Sequence, residues 1–445
     1  MTATRKILEL NAFDMQAAAS LDPDVAKLVD RRKRVFGAAS MLFYSRPLHL
    51  VRGEGVWLFR ADGTRYLDAY NNVPSVGHCH PRVVDAVSRQ MATLNTHSRY
   101  LCEIVYAYAE RLLATLPLEL SQIVFTCTGS ESVDLSLRIA RAVTGGTGFI
   151  VTANAYHGNT LAVSQISPSM TNAEPRGPHV FLVPAPDTYR SPSDSAGSIF
   201  AANVRRAISA MNRKKIHLAG LVADSIFSSD GIYPGEPGFM AEAIANVRMA
   251  GGLFIADEVQ PGFARTGESM WGYEHHGLVP DMVAMGKPMG NGYPIGGVAV
   301  KPDLLETFGA TTGYFNTFGG NPVAAAAGLA VLETIEAENL QENALVTGAY
   351  LRAELEAVAE RCDCVGDVRG KGLYIGVEFV RDRKSKKPDR QAATRIVDML
   401  RDRNVLVGIA GPYGNVLKIR PPLPFGREHA DILVKALSDS LASLS

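Results

Sequence analysis

Three segments of this sequence place chemistry-capable side chains where apolar runs stop. Gln122-Ile123-Val124-Phe125 leads into Thr126-Cys127-Thr128-Gly129-Ser130-Glu131-Ser132, which opens a helical pattern. Small residues there let backbone N–H groups close on an anion, and a helix N-terminus adds its dipole. An ordinary N-cap reads the same way by itself. Leu253-Phe254-Ile255-Ala256 runs into Asp257-Glu258-Val259-Gln260, and Met282-Val283-Ala284-Met285-Gly286 runs into Lys287. A lysine at the end of an apolar strand is desolvated, which disfavours its charge and improves it as a Schiff-base nucleophile. Singly, Asp257 could cap a helix and Lys287 could pair with an acid. Together, an anion cradle, a buried acid and a nucleophilic amine are what pyridoxal phosphate requires: the acid partners the pyridinium nitrogen and sustains the electron sink.

Such groups need a scaffold that brings strand ends together. Strands are expected at 56–59, 65–68, 122–125, 148–152, 180–183, 218–223, 253–256 and 282–285, with a hairpin turn at 61–64. Helices are expected at 81–94, 130–143, 200–212, 239–249 and 322–337. This alternation predicts an α/β fold with a mostly parallel sheet, whose ligands bind beyond the carboxyl ends of the strands. Helices at 338–361, 388–403 and 427–443 with strands near 373–379 and 416–419 predict a smaller α+β C-terminal domain. The expected division is an N-terminal arm and small-domain segment (1–75), a large cofactor-binding domain (76–330) and a C-terminal small domain (331–445). Residues 15–37 read as an amphipathic arm with a solvated basic cluster, and 384–388 as a polar loop. Thr144-Gly145-Gly146-Thr147-Gly148 follows a helix and precedes a strand, the wrong order for a dinucleotide fingerprint, so it reads as a helix end.

Lys+Arg and Asp+Glu number 45 each in 445 residues, so no long-range field draws the chain to nucleic acid or an anionic membrane. Five scattered cysteines give neither a disulfide framework nor a zinc site and fit a reducing compartment. With no long apolar run and no secretory or transit pattern, a cytoplasmic protein is expected. His78 and His80 are two apart, a poor metal-ligand spacing, and are read as structural; no metal is expected.

Phe254-Ile255-Ala256-Asp257-Glu258-Val259-Gln260, then Lys287, then Asn316-Thr317-Phe318-Gly319-Gly320-Asn321-Pro322 resemble the class III aminotransferases, pyridoxal-phosphate enzymes of fold type I. The resemblance spans nearly the whole chain. It implies that Lys287 holds the cofactor as a Schiff base, that Asp257 binds the pyridine nitrogen and that Gln260 approaches the phenolic oxygen. Tyr156 would stack on the ring with Val259 on the opposite face, and neighbouring His157 would contact cofactor or substrate. Gly129 and Ser130 would cradle the phosphate, joined by Thr317 from the other subunit of a homodimer or a dimer of dimers.

Members of this family that use 2-oxoglutarate carry an arginine that clamps the α-carboxylate and a glutamate that neutralises it. Here Ser229, in Asp224-Ser225-Ile226-Phe227-Ser228-Ser229, aligns with the glutamate, and Lys418, in Val416-Leu417-Lys418-Ile419-Arg420-Pro421-Pro422, aligns with the arginine. A substrate without an α-carboxylate is therefore expected. Tyr70-Asn71-Asn72-Val73, Val76-Gly77-His78-Cys79-His80-Pro81, Leu94-Asn95-Thr96-His97-Ser98-Arg99-Tyr100-Leu101 and Asn415-Val416-Leu417-Lys418-Ile419 are similar to the phospholyase branch, which acts on phosphoethanolamine or 5-phosphohydroxylysine. Thr126-Cys127-Thr128 and Ser132-Val133 depart from the usual residues. The resemblance implies β-elimination of phosphate from ethanolamine phosphate. A dianionic phosphate needs cationic and amide donors; Lys418, Arg99, Asn71 and Asn72 are the candidates, with Arg420 in reserve. An ω-aminotransferase with an unusual acceptor site and a racemase or other isomerase are the alternative reactions.

Overall fold

The computed structural model describes residues 10–14, 21–37, 41–170, 176–191 and 195–444. Residues 15–20 of the expected arm lie outside these; the rest is helix α1 (Pro23–Phe36), whose first turn is held by Asp22 accepting from the Asp24 N–H. Of its side chains only Val29 is buried, so its basic cluster is solvated. Strands β1 (Arg52–Glu54), β2 (Trp57–Phe59) and β3 (Arg65–Asp68) form an antiparallel ribbon, and the turn before β3 is fixed by the Thr64 N–H donating to Asp62 Oδ1 at 2.9 Å. Helices α2 (Pro81–Thr93) and α3 (Glu103–Leu113) follow. The second of these was not anticipated.

The central sheet is laid down by β4 (Gln122–Thr126), α4 (Gly129–Thr144), β5 (Gly148–Thr152), α5 (Leu161–Gln165), β6 (Val180–Val183), α6 (Ala196–Arg213), β7 (Leu218–Ala223), α7 (Ala241–Met249), β8 (Leu253–Asp257), β9 (Met282–Met285) and β10 (Gly296–Val300). Its order is β4-β10-β9-β8-β7-β5-β6, with parallel pairing from β9 through β6 and β10 antiparallel to both neighbours. Strands β5, β7 and β9 are buried along their whole length, which is why they read as unbroken apolar runs. Strand β10 escaped the sequence reading because it opens on two glycines, which weaken a strand signal. The glycines after α4 do end that helix, with Gly145 left-handed.

Helices α8 (Pro302–Thr311), α9 (Pro322–Ala337) and α10 (Leu340–Glu360) lead to β11 (Val365–Lys371), β12 (Tyr374–Phe379), α11 (Arg390–Asp402), β13 (Val405–Leu406), β14 (Gly408–Ala410), β15 (Val416–Ile419) and α12 (Arg427–Ala442). Helix α9 buries most of its length and packs against α2 and α3. The smaller C-terminal sheet is antiparallel, β11-β12-β15-β14. Strand β13 instead pairs in parallel with β3, opposing Val405 to Leu67 and Leu406 to Asp68. The end of β3 and the end of β15 are thereby brought over the carboxyl ends of the central strands: the Arg420 N–H donates to Ala69 O, and Leu423 N–H to Ser75 O. The 384–388 loop is polar but tied down, with Lys386 Nζ donating to Tyr189 O at 2.7 Å. Among the described residues no helix is long and apolar enough to cross a membrane.

Candidate active site

The turn from β4 into α4 is held by its own side chains. Thr128 Oγ1 accepts from the Glu131 N–H at 3.1 Å, and Glu131 Oε2 accepts from the Cys127 N–H at 2.7 Å and from Asn316 Nδ2 at 3.3 Å. The two departures flanking this turn point inward: Thr126 Oγ1 meets Ser132 Oγ at 2.8 Å, and Ser132 Oγ donates to Met285 O at 2.8 Å, tying β4, α4 and β9 together. Helix α4 begins at Gly129, where a Cβ would stand 2.8 Å from Val259 Cγ2. Gly158, at φ 141°, lies against Ser130, whose Oγ accepts from the Asn159 N–H at 3.2 Å. The Tyr156–Gly158 segment, the α4 N-terminus and Val259 are therefore packed together, and the first N–H groups of α4 have no carbonyl of their own helix to bond.

Asp257 closes β8 and is buried. His157 Nδ1 lies 2.7 Å from Asp257 Oδ2, and Asp257 Oδ1 accepts from the Val259 N–H at 3.1 Å. His157 is itself pinned by its N–H to Ser167 Oγ at 3.0 Å, and its Nε2 is buried without a partner among the described residues. Tyr156 is half-buried, and burial together with the Asp257 charge raises its hydroxyl pKa. Lys287 begins a short turn after β9 that is fixed from the 75–77 segment: Ser75 Oγ donates to Pro288 O at 3.0 Å, the Val76 N–H to Asn291 Oδ1 at 3.0 Å, and Asn291 Nδ2 to Gly77 O at 2.8 Å. Lys287 keeps some solvent contact although protein crowds it. Burial, then the Arg420 charge, bring its amine pKa down to about 8, against the opposing pull of Asp257 and Asp224.

The other acids nearby are pushed toward their neutral forms by burial: Asp224 upward, Asp230 to about 7 and Glu258 to about 8. Asp230 accepts from Thr152 Oγ1 at 2.7 Å and from the Asn154 N–H at 3.0 Å; an amide can keep the second bond through its oxygen and donate to the Thr152 hydroxyl, which is able to turn and accept. A carboxyl whose folded pKa is raised costs stability as pH climbs from its unfolded value of 3.8 through about 7. Asp230→Asn is therefore expected to be roughly 1–3 kcal/mol more stable than the parent at pH 8 and indistinguishable at pH 4. Thermal unfolding at the two pH values checks this; equal gains at both would show that Asp230 does not titrate in this way.

Of the residues expected to meet substrate, Lys418 is buried on β15 opposite Gly376, and its amine pKa is driven well below the usual value by burial, Arg420 and Lys287. Arg420 Nη1 donates to Asn72 Oδ1 at 2.9 Å and to Gln260 Oε1, which also accepts from Asn72 Nδ2 at 3.0 Å. The guanidinium lies 4.7 Å from the centre of the Tyr70 ring. Asn71, by contrast, is a turn amide whose Nδ2 donates to Asp68 Oδ2 at 3.0 Å. Asp68 also receives the Tyr70 and Asn71 N–H groups and meets His78 Nε2 at 2.7 Å. His78 thus serves the turn, as expected, and His80 meets Glu338 at 2.9 Å. Arg99 is exposed and lies 4.2 Å from the Phe315 ring centre rather than on Glu103. It lines a 460 Å³ cavity with Asn316 and Gly319, next to exposed Thr317, and Lys287 is not among the residues lining it. Ser229 is buried, its carbonyl accepting from Asn154 Nδ2.

Sequence reasoning missed Asp68, which organises the 70–72 turn, and Arg265, a buried cation bonded to the carbonyls of Leu373 and Pro421 whose pKa falls to about 9 through burial and Arg420. An acid ending an apolar strand ten residues before His78 was the available signal for the first. Arg265 offered none.

A fold of this topology with a lysine, a buried carboxylate and a helix N-terminus at the strand ends defines a pyridoxal-phosphate enzyme of fold type I. The chain belongs to the class III aminotransferase family: residues 43–441 match Aminotransferase class-III. Its cofactor is pyridoxal 5′-phosphate, and the residues present fit that group: His157 Nδ1 backs a buried carboxylate while its Nε2 stays unpartnered among the described residues, the glycine at the start of α4 has no side chain to fill the space before Val259, and Lys287 is an amine of lowered pKa. The chain is similar to a phospholyase from Arthrobacter solved in complex with phosphoethanolamine, at 45% identity and TM-score 0.91 over 94% of this chain and 100% of that one. It is 39% identical over 443 residues to an alanine–glyoxylate aminotransferase 2-like protein of Drosophila melanogaster (97% of this chain, 90% of the other). It is 34% identical over 453 residues to ethanolamine-phosphate phospho-lyase homolog 1 of Caenorhabditis elegans (96% of each).

Proposed function

We propose that this enzyme is a phospholyase that eliminates phosphate from ethanolamine phosphate, with acetaldehyde, ammonia and phosphate as products. The observation that carries the reading is the buried Arg420 guanidinium with the buried Lys418 amine beside Lys287, where burial pushes Asp224, Asp230 and Glu258 toward neutrality and a bound anion would restore the proton that burial disfavours on Lys418. A site with that charge balance suits a dianion. The likeness to the Arthrobacter phospholyase supports the same reading. Bound pyridoxal phosphate supplies the electron sink that makes the carbon next to the substrate amine acidic. Lys287 Nζ would be the base that takes that proton; its lowered pKa leaves a usable fraction as free amine near neutral pH. Asp257 would hold the ring nitrogen, Tyr156 and Val259 would flank the ring, and Gly129 and Ser130 would bind the cofactor phosphate. Lys418 Nζ and the Asn72 amide hold the leaving phosphate while its C–O bond breaks; water then completes release of acetaldehyde and ammonia.

A homodimer completes the reading. Phe315 and Phe318, 47% and 70% exposed, flank Thr317 on a face shared with Tyr100 and Leu101, which suits burial against a second copy and delivery of Thr317 to the neighbouring site. Arg99 belongs to this face, so any contact it makes with substrate is with that of the neighbouring site. Five free cysteines suit a reducing compartment, here taken as the cytoplasm.

The test is purified enzyme with ethanolamine phosphate and no oxo-acid, following phosphate and acetaldehyde together. Continuous equimolar release over many turnovers is expected. A single absorbance change that recovers only on adding pyruvate would establish an aminotransferase instead, the reading favoured by the likeness to the Drosophila protein. Lys418→Met is expected to raise KM for ethanolamine phosphate about 10- to 100-fold, the worth of a charge-assisted contact, with a smaller change in kcat. An unchanged KM would remove Lys418 from the phosphate site.

A further inference from the structure

Gln260 is a primary amide, and either end of it could face the cofactor. The structure settles which end is already engaged: its Oε1 accepts from Arg420 Nη1 and from Asn72 Nδ2 at 3.0 Å, filling both lone pairs of that oxygen. The two donors are locked to each other, because Arg420 Nη1 also donates to Asn72 Oδ1 at 2.9 Å. Each is fixed from behind. Asn72 follows the turn that Asp68 ties down through the Tyr70 and Asn71 N–H groups. Arg420 is buried, with its backbone bonded to Ala69 O and its guanidinium beside the Tyr70 ring. Among the described residues no acidic side chain hydrogen-bonds or ion-pairs with Arg420; its side-chain bonds there go to two neutral amides, and its Nε is buried without a partner.

We propose that Arg420 is a positioning residue which, with Asn72, captures the Gln260 carbonyl so that the Gln260 amide nitrogen is the end presented to the cofactor. An amide so oriented can only donate, and a donated hydrogen bond favours the anionic form of an oxygen acceptor. The buried guanidinium adds a fixed positive charge on the same side and is the second cause, after burial, of the low Lys287 pKa. Orientation and charge act together to disfavour a proton at the Lys287 end of the site. The inference depends on pyridoxal phosphate and on no particular reaction, so its failure leaves the lyase reading untouched, and failure of the lyase assay leaves it standing.

The two contributions separate by substitution. Arg420→Met removes both, and is expected to raise the pH midpoint for chemical labelling of Lys287 in the cofactor-free protein by about one unit, tenfold in proton affinity. Arg420→Lys keeps the charge but cannot span Asn72 and Gln260 with a planar fork. Its labelling midpoint is expected to stay near that of the parent, while the pH midpoint of the visible absorbance of the cofactor-loaded enzyme rises by about half a unit. In a Gln260→Ala background the same Arg420→Lys change is expected to move that midpoint no further, since a residue acting through Gln260 has nothing left to position. A full additional shift in the Gln260→Ala background, or no shift from Arg420→Lys in the parent, would overturn the proposal. If Arg420→Met does not fold, the Arg420→Lys and Gln260→Ala cycle decides it alone.

Discussion

Lys287→Ala is expected to leave an enzyme with turnover reduced at least a thousandfold and no covalent bond to its cofactor. Two functions vanish with one side chain: the amine that anchors the cofactor, and the base that moves the substrate proton, itself worth about 10²–10⁴-fold. Visible absorbance and intact-protein mass after borohydride reduction check the first, and product release checks the second. The variant also has a signature in the cofactor-free protein. The Lys287 amine is held at about 8 when folded, against 10.5 in the unfolded chain, so below about pH 8 the fold bears the cost of a crowded charge, and that cost is lifted as pH rises from 8 toward 10.5. Cofactor-free Lys287→Ala should thus be more stable than cofactor-free parent at pH 7, the difference shrinking by pH 10, offset in part by the methylenes it loses. Retained turnover with an attached cofactor would mean that another lysine carries the Schiff base. Lys418, the other buried amine at the site, would then be the one to test.

How much of this was legible in the sequence follows from where the information is local. The parallel strands announced themselves as apolar runs because both faces are covered, and each run delivered its polar successor, Asp257 or Lys287, to the same edge of the sheet. Strand β10 did not, since two glycines open it and its place between β4 and β9 is fixed by pairing alone. Site residues carried by a motif were visible individually, whereas their mutual contacts were not. Nothing in Val416–Pro422 distinguishes Lys418 from Arg420 as the residue bonded to Gln260; that depends on β15 pairing with β12 in a register that turns Lys418 against Gly376, and on the chain after it bonding to Ala69. Asn71 and Asn72 look alike in sequence for the same reason, and a single carboxylate, Asp68, separates them by taking the first into its turn and leaving the second to reach Gln260.

Asp257→Asn is expected to lower kcat at least about a hundredfold while changing KM for the substrate little, because what it removes is charge at the cofactor rather than a contact with the substrate. The carboxylate sits at the end of β8 with one oxygen on the Val259 N–H and the other on His157 Nδ1. Both are donors, so it is fully oriented before any ligand arrives, and its negative charge is what holds a proton on a ring nitrogen. An amide has one acceptor only. Its NH₂ would clash with the Val259 N–H or, turned to His157, would need the imidazole to move its proton from Nδ1 to Nε2, so the amide keeps both bonds only by changing that tautomer and loses the charge in either case. Cofactor release on dialysis should accelerate, and the visible band should weaken or move. His157→Asn keeps the carboxylate and removes only the ring that orients it, so a milder loss, about tenfold, is expected from the same assays. The order of the two effects is the discriminating result. If His157→Asn proved the more damaging, the unpartnered Nε2 of His157 would be acting on the substrate, and Asp257 would serve chiefly to aim it.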